Sequence, residues 1–268
     1  MIHDDDLRAL LAWLDRPWAG FRKVRKGVKK RLHRHMRQLG CENMGDYMAL
    51  LNRQPEQRAV CETCLTVTIS RFFRDRRLWT ALQEHLLPVL IRRFENGLRI
   101  WSAGCANGEE PYSLAMVRHL LAQSHDKLPP FEILASDNRP QCLENARRGR
   151  YRMGSVKEIP PDLRPRFFTI SPNGRRFEIK TEVRQGVRWL QHDLLHGPAG
   201  SAFQLIFLRN NLLTYHQGAV LQAAFERIVQ SLAPGGLLIV GSHERLPEVS
   251  RALLRDERCP WAYWVQSD

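Results

Sequence analysis

Two adjacent carboxylates, Glu109 and Glu110, follow a run of small residues, Ser102-Ala103-Gly104-Cys105-Ala106-Asn107-Gly108, in the most chemically informative stretch of the chain. Before them, Leu98-Arg99-Ile100-Trp101 is a short apolar run that suits a buried parallel strand, and a helical pattern resumes at about Glu109. A strand, a glycine-rich turn and a helix is how open α/β sheets hold a nucleotide-like ligand. Gly104 and Gly108 let the backbone turn tightly and lie close to it. A dinucleotide site spaces its glycines GxGxxG and offers helix amides to a pyrophosphate. Here the glycines are four apart, and the two glutamates would repel a pyrophosphate. They would welcome an ammonium and a sulfonium, which favours S-adenosylmethionine over NAD. The plainer alternative is that they complement the positive end of the helix dipole.

Other candidate residues sit at the ends of further strands. Phe131 to Ser136 (FEILAS) is a strand ended by Asp137, an acid placed to bind ribose hydroxyls or, alternatively, to cap a helix over Arg139–Arg148. Val187 to Gln191 is the third strand, followed by His192-Asp193-Leu194. Phe203 to Leu208 (FQLIFL) is apolar enough to be buried on both faces, and it opens into Arg209-Asn210-Asn211-Leu212-Leu213-Thr214-Tyr215. The pattern then predicts a helix from Gln217 to Leu232, a turn at Pro234-Gly235-Gly236, a strand from Leu237 to Val240, a helix near Val249–Leu254 and a strand from Trp261 to Val265.

The N-terminal third is helical in pattern: Leu7–Leu14, about Gly20–Leu39, Met44–Asn52 and about Pro55–Cys64. The formal charge of +13 is concentrated here, with nine Lys or Arg and no acid between Arg22 and Arg37. Val24, Val28, Leu32, Met36 and Leu39 mark one buried stripe, so the basic residues occupy the other face. Such a face is either simply solvated or meets an acidic partner. Aromatics do not interleave with the basic residues, so nucleic acid is not expected. Cys61-Glu-Thr-Cys64 has metal or redox spacing, but no second pair or His cluster completes a site, and no metal is expected. No apolar run reaches membrane-span length, and MIHDDDLRAL does not read as a signal peptide. A reduced, cytoplasmic protein that is not membrane-inserted is expected.

The string WSAGCANGEEPYSLAM resembles the signature of the CheR-type chemoreceptor glutamate methyltransferases, which commonly read WSAGCSxGEEPYSLAM. Arg71-Phe72-Phe73-Arg74 resembles their TxFFR element. Ser136-Asp137-Asn138-Arg139 stands where they read TDID or SDID, so the ribose acid is kept and the later acid is lost. Gly149-Arg150-Tyr151 matches their GxY, after which such enzymes insert a small antiparallel subdomain, here about 151–186 with a turn at Pro172-Asn173-Gly174. Arg209-Asn210-Asn211-Leu212-Leu213-Thr214-Tyr215 resembles CRNVLIYF with one residue more, and LAPGGLLIVGSHE resembles LxPGGxLxxGHSE with Ser242 and His243 transposed.

The resemblance implies an α/β protein. A small helical domain (1–75) precedes a Rossmann-like class I methyltransferase sheet (76–268) that carries the antiparallel β insert. It implies S-adenosyl-L-methionine as cofactor, contacted by Thr68, Ser70, Arg74, Gly104, Glu109, Glu110, Asp137, Asp193, Leu194 and one or both of Asn210 and Asn211. Arg74 and Tyr215 are the implied catalytic residues; without the family, they read as a surface charge and a helix-capping aromatic. The implied reaction is methylation of glutamate side chains on the cytoplasmic domain of a chemoreceptor. Its acidic methylation helices would meet basic helix 22–37, and the enzyme is expected to be a monomer. The rivals are a methyltransferase acting on RNA or another anion, and a sensing adaptor that has lost catalysis.

Overall fold

Leu7, Leu10 and Leu11 recur at helical spacing and are wholly buried in the first helix, α1 (Asp4–Trp13). The computed structural model describes residues 2–67, 70–123 and 127–266. It comprises two compact units, residues 1–68 with 214–220, and residues 69–213 with 221–268.

In the helical unit α1 is followed by α2 (Trp18–Phe21), α3 (Arg25–Gln38), α4 (Met44–Arg53) and α5 (Pro55–Leu65). The single helix expected from Gly20 to Leu39 is in fact two, because the chain leaves helical dihedrals at Val24 (φ −110°, ψ 1°) and the basic run starts a helix of its own. Gly40, at φ +69°, ends α3. Asn43 caps α4 by accepting from the Asp46 N–H at 2.9 Å. The core gathers Leu7, Leu10, Phe21, Val28, Leu32, Tyr47, Leu51 and Cys61. Burial pushes the Cys61 thiol up to about 11, and the six cysteines are unpaired, so Cys61 serves as packing.

The second unit begins with α6 (Arg76–Ala81) and α7 (Leu87–Arg93), joined by a π-helical stretch, Leu82–Leu86. Pro88 has no N–H to give to residue 84, and the turn before it widens. The chain then runs β1 (Leu98–Ala103), α8 (Glu109–Leu121), β2 (Phe131–Asp137), α9 (Pro140–Arg148) and the insert. In the insert β3 (Arg150–Arg152), α10 (Met153–Val156), α11 (Arg164–Phe167), β4 (Phe168–Ile170), β5 (Arg176–Ile179) and α12 (Thr181–Arg184) form an antiparallel sheet ordered β3-β5-β4. After it come β6 (Val187–Gln191), β7 (Phe203–Leu208), α13 (Leu212–Tyr215), α14 (Gly218–Gln230), β8 (Leu232–Val240), β9 (Leu253–Arg255) and β10 (Ala262–Val265).

The main sheet is ordered β6-β2-β1-β7-β8-β10-β9. Its first five strands are parallel, and β10 and β9 are antiparallel to their neighbours. This is the expected class, with its helical N-terminal unit and antiparallel insert. Strand β8 starts at Leu232 rather than Leu237, because the Pro234-Gly235-Gly236 segment continues along β7 through a register irregularity. The helix expected near Val249–Leu254 does not form. Leu253, Leu254 and Arg255 instead pair with Val265, Trp264 and Tyr263. A short apolar run fits either period, and the open edge of β10 decides. The chain order reverses at β1, whose neighbours are β2 on one side and β7 on the other, and this switch point is where open α/β sheets hold ligands.

Candidate active site

The carboxyl ends of β1 and β2 are tied together by the turn between β1 and α8. The N–H groups of Gly104 and Cys105 both donate to the Ser136 carbonyl at 2.8 Å. Gly104 (φ +78°) and Gly108 (φ +89°) hold left-handed backbone. Neither site has room for a side chain: a Cβ on Gly104 would run into Asn211, and one on Gly108 would come within 2.9 Å of both Ala146 and Trp189. Asp137 is buried at the end of β2. Its Oδ2 accepts from the Ala106 N–H at 2.9 Å, and its Oδ1 from the Arg139 N–H at 3.0 Å. The Arg139 guanidinium adds Nε to Oδ1 at 3.0 Å and Nη2 to Oδ2 at 3.2 Å.

Glu109 and Glu110 open α8 but differ in surroundings. Glu110 accepts from Ser102 Oγ (2.8 Å) and from Arg209 Nη1 (3.0 Å). Glu109 is 3% exposed, and burial pushes its carboxyl up to about 6, opposed by hydrogen bonds from its backbone and from the hydroxyls of Ser155 and Ser70. Its Oε2 is buried and has no hydrogen-bond partner among the described residues.

Arg74 lies between two residues in left-handed backbone, Phe73 (φ +50°) and Asp75 (φ +66°). Non-glycine residues hold such angles only when their surroundings fix them. Here the Phe73 N–H donates to Ser113 Oγ (3.0 Å), the Arg74 carbonyl accepts from Trp79 Nε1 (2.9 Å), and the Asp75 carboxylate pairs with Arg209. The Arg74 guanidinium donates to Asn210 Oδ1 at 3.1 Å. Asn210, itself at φ +56°, also lies against Gly241, while Asn211 donates to the Ala103 carbonyl at the end of β1. The two asparagines therefore face different strands. Asp193 accepts from the Leu195 N–H (2.9 Å), and Leu194 packs against the core cluster of Trp101 and Phe203.

Ser70, Arg74, Gly104, Glu109, Glu110, Asp137, Asp193, Leu194, Asn210 and Asn211 all belong to the sheet-bearing unit, and Thr68 lies outside the described residues. Tyr215 folds with the helical unit, where its ring packs on Phe21 (centroids 5.1 Å apart) and its carbonyl accepts from Arg16 at 3.2 Å. Sequence reasoning missed Arg209, which binds Asp75, Glu110 and the Arg74 carbonyl together. The signal was there: a charge placed directly after a nearly all-apolar strand must find partners in the interior.

The residues fit S-adenosylmethionine. The buried Glu109 Oε2, unpartnered among the described residues, is an acceptor suited to an ammonium, and Asp137 is a buried carboxylate at the switch point, a group of the type that can accept from ribose hydroxyls. Among the described residues no group of three or more His, Cys, Asp or Glu could hold a metal ion, and no helix is long and apolar enough to cross a membrane.

A family model for the CheR methyltransferase SAM-binding domain matches residues 68–260. The chemotaxis protein methyltransferase of Listeria monocytogenes is 34% identical over 182 residues, 68% of this chain and 67% of that protein. Chemotaxis protein methyltransferase 2 of Pseudomonas aeruginosa is 34% identical over 227 residues, covering 83% and 79%. The chemotaxis protein methyltransferase of Salmonella typhimurium is 31% identical over 235 residues, covering 84% and 77%. The chain belongs to the CheR methyltransferase family, and it is an S-adenosylmethionine-dependent enzyme of that type.

Proposed function

We propose that the enzyme methylates glutamate side chains on the cytoplasmic domain of a chemoreceptor. The observation that carries this reading is the strained, pinned loop presenting Arg74 beside Asn210 at the switch point, a cation suited to orienting a carboxylate. The bound cofactor supplies a methyl group on a sulfonium sulfur. A glutamate side chain in water titrates at about pH 4.3, so it is already ionised at neutral pH and can attack that carbon directly. A C–O bond would form as the S–C bond breaks, leaving a neutral ester and a neutral thioether. The protein's part is in-line placement and exclusion of water. In this reading Arg74 orients the carboxylate, the Tyr215 hydroxyl orients the reacting end, and Asp137 and Glu109 hold the ribose and the ammonium.

Helix α3 supplies a matching surface for an acidic receptor helix. Arg25 and Lys29 pair with Asp4 (3.2 and 2.8 Å), and Arg31 donates to the carbonyls of Cys64 and Thr66 (both 2.9 Å). Lys26, Lys30 and Arg34 remain exposed at four-residue spacing, one stripe along the helix.

Radiolabelled methyl transfer into the membrane fraction of the source cells tests the reaction, with base-labile label expected for a glutamate ester. Label that enters RNA instead, or binding of cofactor without transfer, would replace this reading with one of its rivals. Arg74→Ala and Tyr215→Phe should lower kcat while affinity for S-adenosylhomocysteine holds. Equal loss of both would remove the orienting role. Replacing Lys26, Lys30 and Arg34 with Gln should raise KM for the receptor domain and flatten the salt dependence of kcat/KM, because exposed charges are screened over about 8–10 Å at ordinary ionic strength. Unchanged kinetics would return the stripe to a solvated face.

A further inference from the structure

Arg139 stands where the resembling sequences carry a second acid, and the structure gives it a partner at the centre of the site. A carboxylate offers about four lone-pair positions. At Asp137 all four are taken: by the N–H groups of Ala106 and Arg139, and by Nε and Nη2 of the Arg139 side chain, at 2.9 to 3.2 Å. The two backbone donors are fixed by the turn after β1 and by the start of α9. The guanidinium is held by side-chain torsions alone, and the Arg139 side chain is 19% exposed. A ribose binding Asp137 through both hydroxyls needs two of the four positions, and the guanidinium is the only occupant able to vacate them.

We propose that Arg139 sets cofactor affinity by competing with the ribose for Asp137, so that binding drives its guanidinium off the carboxylate. The proposal rests on Asp137 being the ribose acid. The competition weakens substrate cofactor and product cofactor alike, since both carry the same ribose. Its benefit is release: S-adenosylhomocysteine leaves against an arginine ready to retake its place, and product inhibition is relieved. Arg139 sets affinity in this sense and takes no part in methyl transfer.

Calorimetry with S-adenosylhomocysteine and its 2′,3′-dideoxy counterpart tests this in the parent, Arg139→Ala, Arg139→Lys and Asp137→Ala, with thermal melts to confirm folding. Arg139→Ala should bind S-adenosylhomocysteine about tenfold tighter, the order of one charge-assisted hydrogen bond. Arg139→Lys, a point charge without the fork, should fall between and serves alone if the alanine variant does not fold. The dideoxy ligand, having no hydroxyls to place, should gain nothing from either change. An unchanged or weakened affinity in the arginine variants overturns the competition, and so does an equal gain for the dideoxy ligand. If Asp137→Ala leaves S-adenosylhomocysteine affinity intact, the ribose assignment itself has failed, a result distinct from loss of the arginine effect alone.

Discussion

Two arginine–carboxylate clusters occupy the carboxyl ends of the two strands that flank β1, and they are built for opposite purposes. Arg139 and Asp137, after β2, are two residues apart, and the acid draws half its hydrogen bonds from backbone amides. Arg209, after β7, reaches two acids distant in sequence, Asp75 and Glu110, along with the Arg74 carbonyl. Its side chain is 4% exposed. Losing the Arg139 fork leaves Asp137 two amide donors, whereas losing the Arg209 fork strands two carboxylates and frees a strained loop. The number of elements a buried charge joins, more than its depth, tells whether it is structural or displaceable.

The sharpest break in this comparison is Arg209→Met. It should lower stability by about 3–5 kcal/mol, the usual penalty for leaving a buried charge uncompensated. It should also depress methyl transfer through Arg74. A denaturant titration reads the first effect, and retention of full stability would make the cluster decorative.

Glu109 sharpens the contrast further, because it lies beside Glu110 but no arginine reaches it, and its carboxyl is pushed up to about 6. A folded value above the unfolded one of about 4.5 gives stability that is present below pH 4.5 and lost as pH rises through 6. Glu109→Gln should therefore be more stable than the parent at pH 7 by about 2 kcal/mol, with the difference shrinking toward pH 4.5. Melting curves across that range check it; a constant difference would contradict it.

Asp137→Ala should weaken S-adenosylhomocysteine by roughly 1–3 kcal/mol in calorimetry, from polar partners left unpaired. Smallest of all, Arg139→Ala should change stability by about 1 kcal/mol or less, because Asp137 keeps the Ala106 and residue-139 amide donors. A loss as large as that of Arg209→Met would erase the distinction between the two clusters.

Much of this architecture was legible wherever local pattern and burial agree. Val187–Gln191 and Phe203–Leu208 form strands with the bounds expected of them, the second because a nearly apolar run is bracketed by polar turns. Glu109 begins its helix because the glycine turn before it cannot continue one. Elsewhere tertiary contact decides. The edge strand Leu253–Arg255 reads equally well as a helix until β10 offers it hydrogen bonds. The break near Val24 is hidden because the apolar stripe Val24, Val28, Leu32 runs through it at helical spacing with no proline to mark it. In the site, Arg139 was visible as a departure from the family pattern, but its grip on Asp137 was not. Arg209 went unrecognised because its partners lie far away in sequence, and spacing carries no record of them.

The helical unit is completed from a distance. Residues 214–220 belong to it, with Tyr215 against Phe21 and Gln217 donating to Asp15 at 2.8 Å. On the ribosome, α1 to α5 emerge long before these residues are made, a delay of roughly ten to thirty seconds at ordinary synthesis rates. Through that interval the surface around Phe21 lacks its aromatic partner, so a unit whose helices are made early is finished late. A release-and-refold comparison should show the Tyr215 contact forming with the sheet rather than with the helices. The segment that completes the basic helical unit thus reaches it only after the strand that leads into it, β7, has been made.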